Sequence, residues 1–351
     1  MRPINTNGLR VGIVGATGMV GRVLLPALES RHFPIAELFP FSSGRSVKTV
    51  SFRSKSITAP AINENSLLGC DLVFFVSSDH VSSRLAPRLA AKGIWVIDDS
   101  SAFRLDPKVP LVIPEVNAPA LSLSCRLIAG PNCTMAPVAV AGYPLHKKIG
   151  VREARIASYQ AVSGAGQEAL EEFIGQTQKL SKEIRISSSC VPVIPSCKSK
   201  ALPSPIAFNV FPRVGKFDKE GYSSEERKVA AELRKVWGAP ALHVSVTAVR
   251  VPVIRSHCLA AWLNLRRPVK PQQARCWLSG VSGMKISKPK DYPTPLSCAG
   301  RDPVYVGRLR PGAIPTELCL WIVSDNLLKG AALNSIQIAE ELLKRGWLKR
   351  R

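Results

Sequence analysis

A single cysteine sits where a turn gives way to an apolar run: Ile128-Ala129-Gly130-Pro131-Asn132-Cys133-Thr134-Met135-Ala136-Pro137, continuing into Val138-Ala139-Val140. Gly130-Pro131-Asn132 is a turn signal. Asn132 can cap a following helix, and Pro137 is tolerated only in a first turn. Cys133 is therefore expected at or beside a helix N-terminus, where unpaired N–H groups favour negative charge. A free thiol has a pKa of about 8.5, and such a setting or a cationic neighbour raises its thiolate fraction. Cys133 reads as a nucleophile on those grounds. Cysteine is also a common buried residue, and the stretch alone supports either reading.

A second chemistry-bearing stretch lies at the start. Leu9 to Val14 is a short β-branched strand that runs into Gly15-Ala16-Thr17-Gly18-Met19-Val20-Gly21 and then a helix to Ser30. Strand, glycine-rich turn and helix in that order are what a dinucleotide site needs. Gly15 permits the turn, Gly18 lets backbone approach a pyrophosphate, and Gly21 allows close helix–strand packing. The next strand, Glu37 to Phe41, ends in Ser42-Ser43-Gly44-Arg45-Ser46 with Lys48 nearby, rather than in an acid. A cation with hydroxyls there suits a 2′-phosphate, so NADP rather than NAD.

The elements that must position these groups alternate. Asp71 to Val76 is a buried strand ending in Ser77-Ser78. Ser82 to Lys92 is a helix ended by Gly93, and Ile94 to Ile97 is a strand followed by Asp98-Asp99-Ser100-Ser101-Ala102-Phe103-Arg104. The alternation predicts a parallel, doubly wound sheet, and Arg104 past a strand's carboxyl end could meet an anionic substrate. Beyond the Cys133 helix the texture changes. Glu153 to Val162 is a strand with Gln160 near its end, followed by Ser163-Gly164-Ala165-Gly166 and a helix from Gln167 to Ile174. Ser187 to Pro205 is irregular, a candidate subunit-contact loop. Ser223 or Ser224 caps a helix to Trp237. His243 to Val253 and Cys258 to Leu265 are expected to pair as a hairpin that aims Arg250 and His257 at one place. An amphipathic helix closes the chain from about Lys329-Gly330 to Lys344.

Bulk properties narrow the class. The 351 residues suit two domains with ample core, and the hydrophobic share of 46% excludes a disordered chain. Met1 to Arg10 lacks a signal-peptide core and no apolar run approaches a membrane span. The nine cysteines are scattered without a Cys-x-x-Cys pair, which argues against zinc or a disulfide scaffold. A soluble cytoplasmic protein with no metal and no membrane partner is expected. The net charge of +23 invites a nucleic-acid role. The basic excess is spread over the chain without interleaved aromatics, so nucleic acid is not the expected partner.

Taken together these stretches resemble the aspartate-β-semialdehyde dehydrogenase family over nearly the whole chain. The resemblance is carried by Gly15 through Gly21, Asp99 through Arg104, Ile113-Pro114-Glu115-Val116-Asn117, Pro131-Asn132-Cys133, Ser158 through Gly166, Arg250-Val251-Pro252-Val253 with His257, and Asp325-Asn326 through Lys329-Gly330-Ala331-Ala332. It implies a Rossmann-type dinucleotide-binding domain, residues 1–132 and 330–351, and an α+β catalytic and dimerisation domain with a mostly antiparallel or mixed sheet, residues 133–329. It implies NADPH-dependent reduction of L-aspartyl-4-phosphate to the semialdehyde, with release of phosphate, in a homodimer or dimer of dimers serving lysine, diaminopimelate, threonine and methionine biosynthesis. Cys133 then matches the nucleophile, His257 the acid/base and Gln160 the residue orienting the acyl group. Arg250 and Glu225 match the holders of the substrate's carboxylate and amino ends, and Arg104, Lys228 and Asn132 the phosphate-side contacts. Gly15, Thr17, Gly18, Met19, Val20, Arg45, Ser46, Ser77, Ser163, Gly164 and Asn326 match the cofactor contacts.

The chain departs from the family pattern at Gly130, usually Asn, and at Thr134-Met135. It also departs at Ala136-Pro137, usually Ile-Gln, at Cys258-Leu259, usually Ser-Glu, and in the Arg45 loop, which lacks a glycine before Lys48. None removes a chemical group the reaction needs. Two other readings stand beside this one: an N-acetyl-γ-glutamyl-phosphate reductase, which should not need Glu225 for a free amine, and a catalytically weak basic binding paralogue.

Overall fold

Leu9–Val14 (β1) is buried along almost its whole length, as expected of a strand covered on both faces. It lies in a five-stranded parallel sheet with Ile35–Phe41 (β2), Leu72–Phe75 (β3), Trp95–Asp98 (β4) and Leu127–Ala129 (β5), in the order β2-β1-β3-β4-β5. The structure is a computed structural model and describes residues 8–44, 48–186, 192–193 and 195–350. Helices Met19–Ser30 (α1) and Asp79–Ala91 (α2) follow β1 and β3. Between β1 and α1, Gly15 has φ +93°, and a Cβ there would fall 2.6 Å from the Val76 carbonyl oxygen, so only glycine makes this turn.

The second sheet is mixed. Its strands are Val151–Gln160 (β6), His243–Arg250 (β7), His257–Leu265 (β8), Met284–Ile286 (β9), Val304–Pro311 (β10) and Glu317–Ser324 (β11), in the order β7-β6-β8-β11-β10-β9. The expected hairpin of β7 with β8 does not form. Strand β6 lies between them, parallel to β7 and antiparallel to β8. A hairpin is the local solution, but here each strand finds its partner in β6, far away in sequence. Arg250 and His257 still converge, for a different reason. Arg250 stands opposite Gln160, Cys258 opposite Tyr159, and His257 opposite Ser324. The carboxyl ends of β6, β7 and β11 and the amino end of β8 therefore share one edge.

Helix Met135–Ile149 (α3) is buried round most of its circumference through its first two turns. It packs against β8, β10 and β11, and its amino end follows directly from β5 of the other sheet. Gln167–Glu183 (α4) is longer than the periodicity suggests. Ser224–Trp237 (α5) is capped by Ser223, whose side chain accepts from the Glu226 amide while Glu226 accepts from the Ser223 amide at 2.6 Å. Near the chain's end, Leu328–Ala332 is a turn of π-helix that leads into Leu333–Lys344 (α6). Ile336, Ala339 and Leu342 of α6 join Val11, Ile13 and Leu24 in one core cluster, so this last segment packs on the first sheet. Among the described residues no helix is long and apolar enough to cross a membrane.

Candidate active site

The nucleophile candidate is placed by the end of β5 and the start of α3. Asn132 performs the capping: its Oδ1 accepts from the Thr134 and Met135 amides at 2.8 and 3.1 Å. Pro137 falls in the first helical turn. Cys133 Sγ lies 3.4 Å from His257 Nε2. The Ala161 amide donates to His257 Nδ1 at 3.0 Å. An amide can only donate, so Nδ1 is the unprotonated nitrogen and the proton of the neutral ring sits on Nε2, facing the sulphur. Burial, and then the Arg250 charge, push the His257 pKa down to about 3, so this neutral form is the one present.

The expectation of an acidified thiol is not met. Burial first, and then the Glu225 carboxylate, push Cys133 up to about 11, against the opposing pull of Arg104, Arg250 and a hydrogen bond from Thr134. The helix N-terminus is present, yet a carboxylate from a distant part of the chain and the crowding of the pocket outweigh it.

Helix α5 lines one wall. Glu225 Oε1 accepts from Asn132 Nδ2 at 3.0 Å, Thr134 Oγ1 at 3.3 Å and Gln160 Nε2 at 3.3 Å. Lys228 Nζ donates to Ser101 Oγ at 3.1 Å, and Ser101 in turn donates to Asp79 at 2.6 Å. Glu232, which the sequence reading did not single out, is wholly buried. It pairs with Arg104 at 3.2 Å and accepts the Asn132 amide at 2.7 Å. Glu225, Lys228 and Glu232 recur at i, i+3 and i+7, one helical face, and that spacing was the available signal. Lys235, the next residue on the stripe, donates to the carbonyls of Arg104, Asp106 and Val109 at 2.7–2.8 Å and so fixes the Arg104 loop. Arg104 itself is buried, with Nη2 on the Asp99 carbonyl at 2.6 Å. Its charge is secured because Glu232 and its other acidic neighbours outweigh desolvation.

The floor comes from the second sheet. Arg250 is buried and donates to the Ala161 carbonyl at 2.6 Å. Gly164 lies over Arg250 and the His257 ring. Asn326 joins them indirectly: its Nδ2 donates to Ser163 Oγ at 3.0 Å, and its Oδ1 accepts the Ser256 amide at 2.8 Å. Gly330, in the π-turn, is a second residue the sequence reading left without a role. A Cβ there would fall 2.7 Å from Cys133 Cβ and 3.0 Å from its Cα, so the turn presses on the nucleophile's backbone. Cys133, His257, Gln160, Asn132, Arg104, Arg250, Glu225, Lys228, Ser163, Gly164 and Asn326 thus occupy one site.

Gly15, Thr17, Gly18, Met19, Val20 and Ser77 form a separate group at the carboxyl end of the parallel sheet. Ser77 Oγ is buried there without a hydrogen-bond partner among the described residues, next to the Gly15 turn. A glycine turn opening α1 and a partnerless buried hydroxyl fit a dinucleotide. Arg45 and Ser46 lie outside the described residues, as do residues 187–191 and 194 of the Ser187–Pro205 stretch.

A Rossmann-type sheet, joined to a mixed sheet with a thiol and an imidazole in contact where the two meet, defines a dinucleotide-binding oxidoreductase. Comparison with known proteins narrows this. The semialdehyde dehydrogenase NAD binding domain matches residues 10–124, and the semialdehyde dehydrogenase dimerisation domain matches residues 143–329. The chain is 40% identical over 347 residues to an aspartate-semialdehyde dehydrogenase of Aquifex aeolicus, covering 97% of this chain and 99% of that protein. It is 39% identical over 345 residues to one from Synechocystis, with 97% and 99% covered. The crystal structure of aspartate semialdehyde dehydrogenase II complexed with ASA from Vibrio cholerae superposes with a TM-score of 0.89 at 35% identity, covering 96% of this chain and 98% of that one. The chain belongs to the aspartate-semialdehyde dehydrogenase family.

Proposed function

We propose that the protein reduces L-aspartyl-4-phosphate to L-aspartate 4-semialdehyde through a thioester on Cys133, with NADPH as reductant and phosphate as leaving group. The observation that carries this reading is the Cys133–His257 contact at 3.4 Å, set among Arg104, Arg250, Lys228 and Glu225. That set matches the charges of the substrate: Arg250 for its α-carboxylate, Glu225 for its ammonium, and Arg104 with Lys228 for its phosphate. Asn132 supports the phosphate side through the cap it builds. An N-acylated acyl phosphate would leave Glu225 without a cation, which disfavours that alternative.

The residues then divide the work. Cys133 attacks the acyl carbon, and Arg104 and Lys228 stabilise the charge gathering on the departing phosphate. Gln160, tied to Glu225 and Ser158, orients the acyl group. A nicotinamide dinucleotide, when bound, supplies the hydride, and Gly15, Thr17, Gly18, Met19, Val20, Ser77, Ser163, Gly164 and Asn326 are the residues that would hold it. The preference for a 2′-phosphate rests on Arg45 and Ser46. Nε2–H of His257 is the donor for an oxyanion on any acyl group carried by the sulphur, a role typically worth about 10²–10⁴-fold. The matched dimerisation domain supports a homodimer or dimer of dimers. A cytoplasmic place in lysine, diaminopimelate, threonine and methionine biosynthesis follows from the activity.

The test runs the reaction backwards. Aspartate semialdehyde, phosphate and NADP should yield NADPH absorbance with the parent protein and none with Cys133→Ala. Faster turnover with NAD would contradict the Arg45 reading alone. No turnover with either cofactor in folded protein would contradict the function.

A further inference from the structure

A nucleophilic sulphur has to lose its proton, yet the carboxylate of Glu225 in this site opposes that. Glu225 Oε1 is bonded to Asn132 and Thr134, the residues on either side of Cys133, and to Gln160. All three donors are neutral. Among the described residues no lysine or arginine forms an ion pair with Glu225, although its neighbours on α5, Arg227 and Glu232, both have partners. The other charged or titratable groups facing the sulphur are Arg104 from the loop after β4, Arg250 from β7 and His257 from β8. The Ala161 amide donates to His257 Nδ1, which leaves Nε2 as the ring nitrogen facing the sulphur.

We propose that Glu225 is an electrostatic gate on the nucleophile: while its carboxylate carries no cation the sulphur stays a thiol, and docking of the substrate's own ammonium group on that carboxylate lets the sulphur ionise. This rests on the reaction proposed above and adds a specificity rule to it. The step is ionisation alone. The S–H bond breaks, its electron pair stays on sulphur, the proton passes to water at the partly exposed mouth of the pocket, and nothing is oxidised. Burial and Glu225 are the two influences that hold the thiol up, and only the second can be cancelled by a ligand. An acyl phosphate with a blocked amine can then still seat on Arg104, Lys228 and Arg250, but it meets a protonated sulphur. Discrimination against it falls on kcat as well as KM.

The experiment is alkylation of full-length protein by iodoacetamide across pH, with modification of Cys133 read by peptide mass spectrometry. Glu225→Gln keeps the size of the side chain and removes its charge. Cys133 in that variant should be alkylated at pH 7 at least about tenfold faster than in the parent, the effect of one pKa unit. Glu225→Asp keeps the charge and should stay slow. In the unmodified protein, L-aspartate should raise the ultraviolet thiolate signal measured against Cys133→Ser, whereas N-acetyl-L-aspartate should not. Unchanged or slower alkylation in Glu225→Gln, or an equal response to both ligands, would overturn the gate. A Cys133→Ser protein that still turns over would instead overturn the reaction, an outcome independent of the alkylation rates.

Discussion

Gly330→Ala is the most informative small change outside the reacting groups. Its added methyl would stand 2.7 Å from Cys133 Cβ and 3.0 Å from Cys133 Cα. Carbon atoms pack at about 3.5–4.0 Å, so one side must retreat by roughly 1 Å. The π-turn has little freedom to do so. The Gly330 amide is bonded to the Asp325 carbonyl and the Ala332 amide to the Leu327 carbonyl, while Asp325 caps the turn through the Leu327 and Leu328 amides. Cys133 is therefore the side that moves, and its 3.4 Å approach to His257 opens beyond hydrogen-bonding range. Misplacement of about 1 Å costs on the order of 10²-fold in rate. Stability should change less, because overpacking costs about 1–3 kcal/mol while alanine regains about 1 kcal/mol of helix propensity over glycine. Steady-state kinetics in the phosphate-dependent direction, with thermal unfolding of the same samples, separate the two effects. A variant with parental kcat would refute the claim that the π-turn sets the position of the nucleophile.

Three further outcomes are expected. Glu232→Gln removes the ion pair that holds Arg104 while leaving an acceptor for the Asn132 amide. Breaking a buried pair costs about 3–5 kcal/mol, so both the unfolding midpoint and phosphate affinity should fall, checked by calorimetry and the KM for phosphate. Lys235→Met frees the carbonyls of Arg104, Asp106 and Val109; KM for phosphate should rise with kcat little changed, and a collapse of kcat alone would contradict the loop-positioning role. Asp99 is pushed up to about 7, by burial first and with Asp98 adding to it, against a bond from Ser335. A carboxyl raised in the fold contributes stability fully below its ordinary value of 3.8 and loses it as pH rises through about 7. Asp99→Asn should therefore melt higher than the parent above pH 7, by at most about 4 kcal/mol, with the gap closing towards pH 4. Parallel melting curves across that range would contradict it.

Much of the first sheet was legible because its information is local. β1, the glycine turn and α1 are contiguous, and a parallel strand buried on both faces reads as an unbroken apolar run. The site residues were legible as ordered motifs around Cys133, Gln160, Arg250 and His257. What the sequence did not disclose depends on distant pairing. β7 and β8 are neighbours in the chain, which suggests a hairpin, but β6 separates them in the sheet. Strands β9, β10 and most of β11 carry weak alternation and became visible only through their partners. Glu232 resembles an ordinary acid on an amphipathic helix until the fold buries it against Arg104. The thiol's ionisation was misjudged for the same reason. A helix N-terminus is written in nearby residues, whereas Glu225 reaches Cys133 only after the two sheets meet. Gly130 shows tertiary context in another form: a Cβ there would fall 2.3 Å from Asp99 Oδ1, so the small residue and the half-buried acid are accommodated together.

The covalent step on Cys133 is tested most directly by withholding phosphate. Protein mixed with aspartate semialdehyde and NADP alone should release about one NADPH per subunit in a rapid burst and then stop, because the acyl group on sulphur has no acceptor. Acid quench and peptide mass spectrometry should find the aspartyl adduct on Cys133, and added phosphate should remove it and restart turnover. A burst-free reaction, an adduct on another residue, or the same burst in Cys133→Ser would contradict the account.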